Sequence, residues 1–264
     1  MKRIDRILWI MIPAMLLLTA CVKEPRTEIT QSENPGPEII SETPVSSEPE
    51  SDVIETKEEK NMNAPTLLYQ GHASARIETA GGKVIYIDPF AGEGYDLPAD
   101  LILITHDHFD HTQTVLIENK NEDCEIISQK EALADGKHQS FDFGYVKVQA
   151  VEAGNNPNHS IKNCVGYVLT FENGVSVYFS GDTSKTAQMA ELTDIDYAFF
   201  CCDGVYNMDT AEAGECAKLV GAKHSIPYHM IPADPKNCFD QNAAESFEAD
   251  GRIILKPGEE LDLE

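Results

Sequence analysis

The first apolar run, Ile7 to Leu18, is almost unbroken, and Lys2, Arg3 and Arg6 precede it. A membrane-spanning helix needs about 20 apolar residues, so the run is short for a span. A charged start, a short apolar middle and small residues at the end fit a secretory signal over residues 1–20; an uncleaved N-terminal anchor is the other reading. Residues 22–63 carry no hydrophobic period. Glu, Ser, Thr and Pro dominate there, as in Ser41-Glu42-Thr43-Pro44 and Ser46-Ser47-Glu48-Pro49-Glu50. Such a stretch buries too little apolar surface to offset its ordering entropy. It reads as a flexible tether spanning roughly 35 Å on average, or as an acidic partner-binding segment. Neither reading gives it a fold.

From Ala64 onward the pattern changes to short apolar runs separated by turns. Leu67–Gln70, Ala73–Glu78 and Lys83–Ile87 read as strands, with Gly81-Gly82 as a hairpin turn. Leu101–Thr105 is a continuous apolar strand. Val165–Phe171 and Val175–Phe179 flank a second hairpin turn at Glu172-Asn173-Gly174. Tyr197–Cys201, Ile226–Tyr228 and Ile253–Leu255 are further strands. Helical spacing appears at Thr112–Glu118, Lys185–Leu192, Thr210–Leu219 and Gln241–Glu248. The third of these has a start signal, since Asp209 can cap it and Glu212 can reach back. Early hairpins followed by strands mixed with helices predict two sheets covered by helices, in a folded domain over residues 64–264.

Composition narrows the function. The chain has 264 residues, 42% of them hydrophobic, which suits one domain with extensions. Acidic residues number 45 and basic residues 20, for a net charge of -25. Residues 64–264 alone hold 33 acidic and 13 basic residues, a net -20. A nucleic-acid binder needs a basic face, so the charge argues against nucleic acid and against nuclease activity. Seven cysteines are too few for a disulfide scaffold at this length. Their pairing cannot be read from spacing, but adjacent Cys201 and Cys202 in an apolar strand read as buried thiols.

The candidate chemistry lies in Thr105-His106-Asp107-His108-Phe109-Asp110-His111, which follows an aliphatic strand. Three imidazoles and two carboxylates within six residues have no ready structural use. Together they suit Zn, Mn or Fe(II). On a turn after a strand, His106 and His108 can project together while Asp110 and His111 point to a second position. That arrangement suits two ions about 3.5–4 Å apart.

The pattern His-x-His-x-Asp-His after an apolar strand resembles the metallo-β-lactamase superfamily. Gly71-His72-Ala73-Ser74 and Ile85-Tyr86-Ile87-Asp88-Pro89 are similar to the opening of a branch related to ascorbate-6-phosphate lactonase. Gly166-Tyr167-Val168, Ser180-Gly181-Asp182-Thr183 and Ile226-Pro227-Tyr228-His229 follow in the family's order. The resemblance implies an α+β fold, a four-layer αββα sandwich with a metal cleft between its sheets. It implies two divalent ions, zinc foremost, with manganese or iron as alternatives. His106 and His108 match ligands of the first ion, and Asp110 and His111 those of the second. Asp182 matches the bridging carboxylate, and His229 matches the last ligand of the second ion. His159 in Asn156-Pro157-Asn158-His159 fits the third ligand of the first ion; His138, in a turn that reads as exposed, competes with it. Asp110 and Asp182 would carry the catalytic work by holding a metal-bound hydroxide that cleaves an ester, lactone or phosphoester bond. Some superfamily β-lactamases use a cysteine as a second-metal ligand where this chain has Asp182, which argues against β-lactam hydrolysis.

His72 reads as a cleft group behind the ligands or facing substrate, or as a satisfied structural histidine. Asp88 can fix the tautomer of a ligand histidine or cap a turn. Asp203 and Tyr206 lie in a loop that resembles a cleft-side loop, or a packed connection. His224 reads as solvent-facing. Leu18-Thr19-Ala20-Cys21 resembles the bacterial lipobox, so Cys21 would carry lipid and hold the protein on the outer face of a membrane. The partners implied are a small-molecule substrate and that membrane. The rival reading is a surface solute-binding lipoprotein with a vestigial metal. A complete donor set argues for the enzyme.

Overall fold

A computed structural model describes residues 64–264. The signal, the lipobox with Cys21 and the tether lie outside the described residues. Strands β1 (Thr66–Gly71), β2 (Ser74–Glu78), β3 (Val84–Ile87), β4 (Ala99–Leu103), β5 (Lys120–Ile127) and β12 (Glu260–Asp262) make one sheet. Its order is β12-β1-β2-β3-β4-β5. The second sheet holds β6 (Ser140–Asp142), β7 (Val146–Glu152), β8 (Val165–Phe171), β9 (Ser176–Phe179), β10 (Tyr197–Cys201) and β11 (His224–Tyr228). Its order is β11-β10-β9-β8-β7-β6. One hydrophobic cluster joins the two, drawing Leu67, Tyr69 and Ile85 from the first and Tyr167, Phe179 and Phe199 from the second. Each of these side chains is fully buried. The expected α+β sandwich is present.

Helices are few. α1 (Gln129–Ala132) contacts β5, α2 (Thr210–Val220) packs on β10, and α3 (Gln241–Ser246) packs on α2. α2 buries Ala213, Cys216, Ala217 and Val220. The Asp209 carboxylate accepts from Glu212 N at 2.9 Å, a cap of about 1 kcal/mol. Glu212 does not reach back; its carboxylate accepts from Lys185 N at 3.0 Å.

Three expected elements are corrected. Thr112–Glu118 forms only a 3-10 turn at Thr114–Leu116. Its Val115 and Leu116 are exposed and Ile117 alone is a buried apolar anchor, too narrow a stripe to hold a longer helix. Lys185–Leu192 likewise shortens to a 3-10 turn at Gln188–Glu191. Ile253–Leu255 is not a strand; it is tied to β11 by a bridge between Ser225 and Arg252 and by Ile253 N donating to Ser225 O.

The strand directions position the site. β3 runs parallel to β4, and β9, β10 and β11 are mutually parallel. Parallel neighbours release their next residues at one edge of a sheet, where open parallel sheets place their ligands. Asp88 and Thr105 therefore leave the first sheet together, while Asp182, Asp203 and His229 leave the second. Val165 N donates to Thr105 O at 3.0 Å and His229 N to His72 O at 2.9 Å, which lock the two edges to each other.

Candidate metal centre

Residues 106–111 form the loop after β4, so four of the seven expected ligands come from one turn. Asp182 follows β9 through Gly181, whose φ is 60°. A Cβ on Gly181 would lie 2.7 Å from Val165 O, so only glycine passes beneath β8 at this point. His159 arrives from the β7–β8 connection. Asn156 Oδ1 accepts from Asn158 N at 2.9 Å and His159 N at 2.8 Å, which fixes that turn. His72 enters at the bulged β1–β2 turn. His72, Asp88 and His229 all adopt positive φ, at 53°, 43° and 43°. Left-handed backbone costs a non-glycine residue roughly 1–2 kcal/mol, which the surrounding hydrogen bonds hold in place.

The loops bring the side chains together. The donor atoms of His106, His108 and His159 lie within 4.8 Å of one another, and those of His72, Asp110, His111 and His229 do the same. A third such group joins His106 and His111 to Asp182. The Asp182 carboxylate sits between the first two groups. Its Oδ2 is 3.4 Å from His159 Nε2 and 3.3 Å from His229 Nε2, and its Oδ1 is 3.4 Å from His111 Nε2. His138 belongs to none of these groups. His224 is not free in solvent; half-buried at the start of β11, it stacks on Tyr197 with ring centroids 5.0 Å apart.

Behind the donors lies a layer of fixed acceptors. Asp88 is fully buried and takes Thr105 N at 2.8 Å, Thr105 Oγ1 at 2.6 Å and His111 Nδ1 at 2.8 Å. The last contact leaves His111 Nε2 facing Asp182. His72 has no exposed surface, so it touches Asp110 and His229 and not the cleft. Its Nε2 is 3.1 Å from Asp110 Oδ2, and its ring lies 3.7 Å from that of His229. Asp203 Oδ2 is 3.5 Å from His229 Nδ1. Thr105 and Asn207 were not singled out in the sequence. Asn207 Nδ2 donates to Asp182 at 2.9 Å and Asp203 at 2.7 Å, joining the two carboxylates. Nothing in the composition of the Asp203–Met208 loop distinguishes Asn207.

Electrostatics mark the same atoms. Burial works to raise the pKa of Asp182, but His229 and His111 outweigh it and hold that carboxyl well below the usual range. Burial opposes a proton on His111, yet Asp182 and Asp88 lift its pKa well above the usual value. His106 is pushed far down by burial, and His111 adds to that push. Burial and His229 lower His72 to about 4, so it is neutral near pH 7. The Nε2 atoms of His106, His111 and His229 and Asp182 Oδ1 are buried without a hydrogen-bond partner. Buried polar atoms left so are costly. Several imidazole lone pairs converging on carboxylates are the donor set that a divalent transition-metal ion satisfies. The residues therefore fit a metal ion.

All six cysteines among the described residues are free, and Cys201 and Cys202 are buried thiols.

Residues 66–229 match the model of the beta-lactamase superfamily domain. A metal-dependent hydrolase of Rubrobacter xylanophilus is 28% identical over 236 residues, covering 76% of this chain and 97% of that one. A metal-dependent hydrolase of Geobacillus sp. (strain WCH70) is 33% identical over 232 residues, covering 75% and 99%. The crystal structure of a Parabacteroides distasonis protein, also named a metal-dependent hydrolase, superposes with a TM-score of 0.59. It shares 29% identity and covers 72% of this chain and 92% of its own. With a sandwich of two sheets, a histidine–aspartate centre at their shared edge and these relatives, the chain belongs to the beta-lactamase superfamily, in the branch whose curated relatives bear the name metal-dependent hydrolase.

Proposed function

We propose that the chain is a lipid-anchored, extracytoplasmic hydrolase that holds two divalent ions and cleaves an ester, lactone or phosphoester bond in a small substrate. The observation that carries this reading is the pair of donor clusters meeting at the buried Asp182, with orphaned ring nitrogens aimed between them. His106, His108 and His159 would hold one ion and Asp110, His111 and His229 the other, with Asp182 shared. Bound ions of this kind supply Lewis-acid charge, which acidifies water and polarises the bond to be cleaved. The protein's own groups hold that arrangement still. Asp88 fixes the His111 tautomer, a role that commonly matters 10–100-fold in metal affinity. Neutral His72 donates Nε2–H to Asp110 and so orients that carboxylate. Asn207 donates to Asp182 and limits its rotation. No separate serine or cysteine nucleophile is needed.

Metal analysis of the purified domain, with a panel of lactone, ester, thioester, phosphodiester and β-lactam substrates, tests the reading. Two ions per chain and turnover of one panel class support it; a chain that takes up no metal overturns it. The ligand choice has its own check. His159→Ala is expected to lose one ion by mass-spectrometric metal analysis, while His138→Ala keeps both. The reverse pattern would move the third ligand to the other loop. The address is tested separately: native protein should carry diacylglycerol on Cys21, and Cys21→Ser should accumulate as an unprocessed precursor. An unmodified Cys21 in the membrane fraction would refute the anchor.

A further inference from the structure

The centre opens into a cleft of about 680 Å³, and its walls are built from unlike materials. Its floor holds the buried Asp110, His159 and Asp182, and the exposed His108 lies beside them. Its mouth is formed by Phe109, Pro157 and Tyr206, with Asp107 beside them. Phe109 is 63% exposed and Tyr206 50% exposed, the two aromatic rings among the exposed large hydrophobic side chains of the described residues. Val205, next in chain, is 61% exposed. Leaving such surface in water forfeits its burial energy, so it calls for a covering group.

The walls are also held in place. The Phe109 ring packs edge-on against Phe90 at 5.7 Å. Asp203 Oδ1 accepts from both Val205 N and Tyr206 N at 2.7 Å, and Asn158 Nδ2 donates to Tyr206 O at 3.2 Å. Each wall is thus joined to the centre: Phe109 lies between His108 and Asp110, Asn158 precedes His159, and Asp203 faces His229. A preformed wall loses little entropy on binding.

The cleft lining contains no Lys or Arg. Sites that select phosphate use guanidinium or ammonium groups, or helix N-termini, for the non-reacting oxygens. Here the one charged side chain at the mouth is the Asp107 carboxylate, in a domain of net -20. Cations at the centre would neutralise the reacting group only. A second negative charge further out would meet Asp107, Phe109 and Tyr206.

We propose that the substrate is an uncharged carboxylic ester or lactone whose apolar arm lies on Phe109, Pro157 and Tyr206, and that phosphate esters are disfavoured. This rests on the hydrolase reading above and narrows it. Water adds across the acyl C–O bond: a new bond joins the acyl carbon to the water oxygen, and the old C–O bond breaks. The leaving oxygen takes one water proton, giving an acid and an alcohol.

The test uses the full-length mature chain loaded with zinc. Calorimetry measures binding of aceto-, butyro-, hexano- and octanohydroxamate and of inorganic phosphate. Turnover is compared for p-nitrophenyl esters of the same lengths, p-nitrophenyl phosphate and bis(p-nitrophenyl) phosphate. Up to about fourfold tighter binding per added methylene is expected until the wall is covered. Phosphate should bind weakly, and kcat/KM should favour the best ester over either phosphoester by a factor on the order of 100. Phe109→Ala and Tyr206→Ala should flatten the chain-length dependence while metal content stays at the wild-type value. A flat dependence in the wild type, or phosphoesters cleaved as fast as esters, overturns the substrate class and leaves the hydrolase intact. Failure to take up zinc overturns both.

Discussion

Asp182→Asn is expected to cost the centre its metal, one ion before the other, and most of its turnover while the fold survives. The carboxylate faces His111, His159 and His229 within 3.4 Å and carries the one negative charge common to both donor groups. Asn keeps the size and can still accept from Asn207, but it supplies a neutral amide where, on the proposed two-ion reading, two cations would be held close together. The ion on Asp110, His111 and His229 should be lost first, since Asp182 lies within 3.4 Å of two of its ligands, His111 and His229, and of only one, His159, at the other site. The rate should fall on the order of a thousandfold, since about 4 kcal/mol of charge stabilisation is at stake. Excess metal should restore little, because position is lost along with affinity. Circular dichroism should match the wild type, because the strands beneath are packed by Tyr178, Phe179 and Phe199. A variant that retains two ions and full turnover would show that Asp182 bridges nothing and would end the two-ion mechanism.

The second large effect is on stability. Asp88 has no exposed surface and satisfies a backbone N–H, a hydroxyl and an imidazole at once. Asp88→Ala leaves all three buried without an acceptor. Hydrogen bonds to a charged group contribute about 1.5–3 kcal/mol each, and orphaning buried partners adds to that. A loss of roughly 3–5 kcal/mol is expected, about 10 °C or more in Tm for a domain of this size. Asp88→Asn separates structure from tautomer. Its oxygen can still accept from Thr105 N, so much of the stability should return. Its NH2 then faces His111 Nδ1, which must give up its proton; the proton moves to Nε2, the atom aimed at Asp182. Metal affinity should therefore fall by about 10–100-fold even where Tm recovers. Thermal melts and metal titration of the two variants read these effects apart. Equal metal affinity in Asp88→Asn and wild type would refute the orienting role.

Residue chemistry made the candidate donors visible because they cluster. Three histidines directly after Leu101–Thr105 could be read without a structure, since no packed or solvated loop calls for that composition. The groups behind them were harder. Asp88 could be suspected only as one of two alternatives, because the β3–β4 pairing that sets it beside His111 is a tertiary fact. Asn207 shows no pattern at all; it matters because β9, β10 and β11 run in parallel and deliver three loops to one edge. The missed strands have physical reasons too. β5 reads Lys-Asn-Glu-Asp-Cys-Glu-Ile-Ile and buries only Ile127, as an edge strand can. β7, by contrast, alternates Val146, Val148 and Ala150 inward, a signal that was present in the sequence. Thr112–Glu118 failed as a helix because Ile117 is its one buried apolar side chain, and a single anchor does not make a buried face.

The donors come from two separate sheets: His106 to His111 follow β4 in the first, while His159, Asp182 and His229 belong to loops of the second. An ion held by both sets acts as a rivet through the sandwich. Neither half can offer a full set of ligands before the halves have met, so the complete site exists only in the assembled sandwich. Its binding free energy then adds directly to the work of prising the sheets apart, about 4 kcal/mol when free metal stands a thousandfold above its Kd. Metal supply would thus govern how long each molecule survives as well as how fast it works.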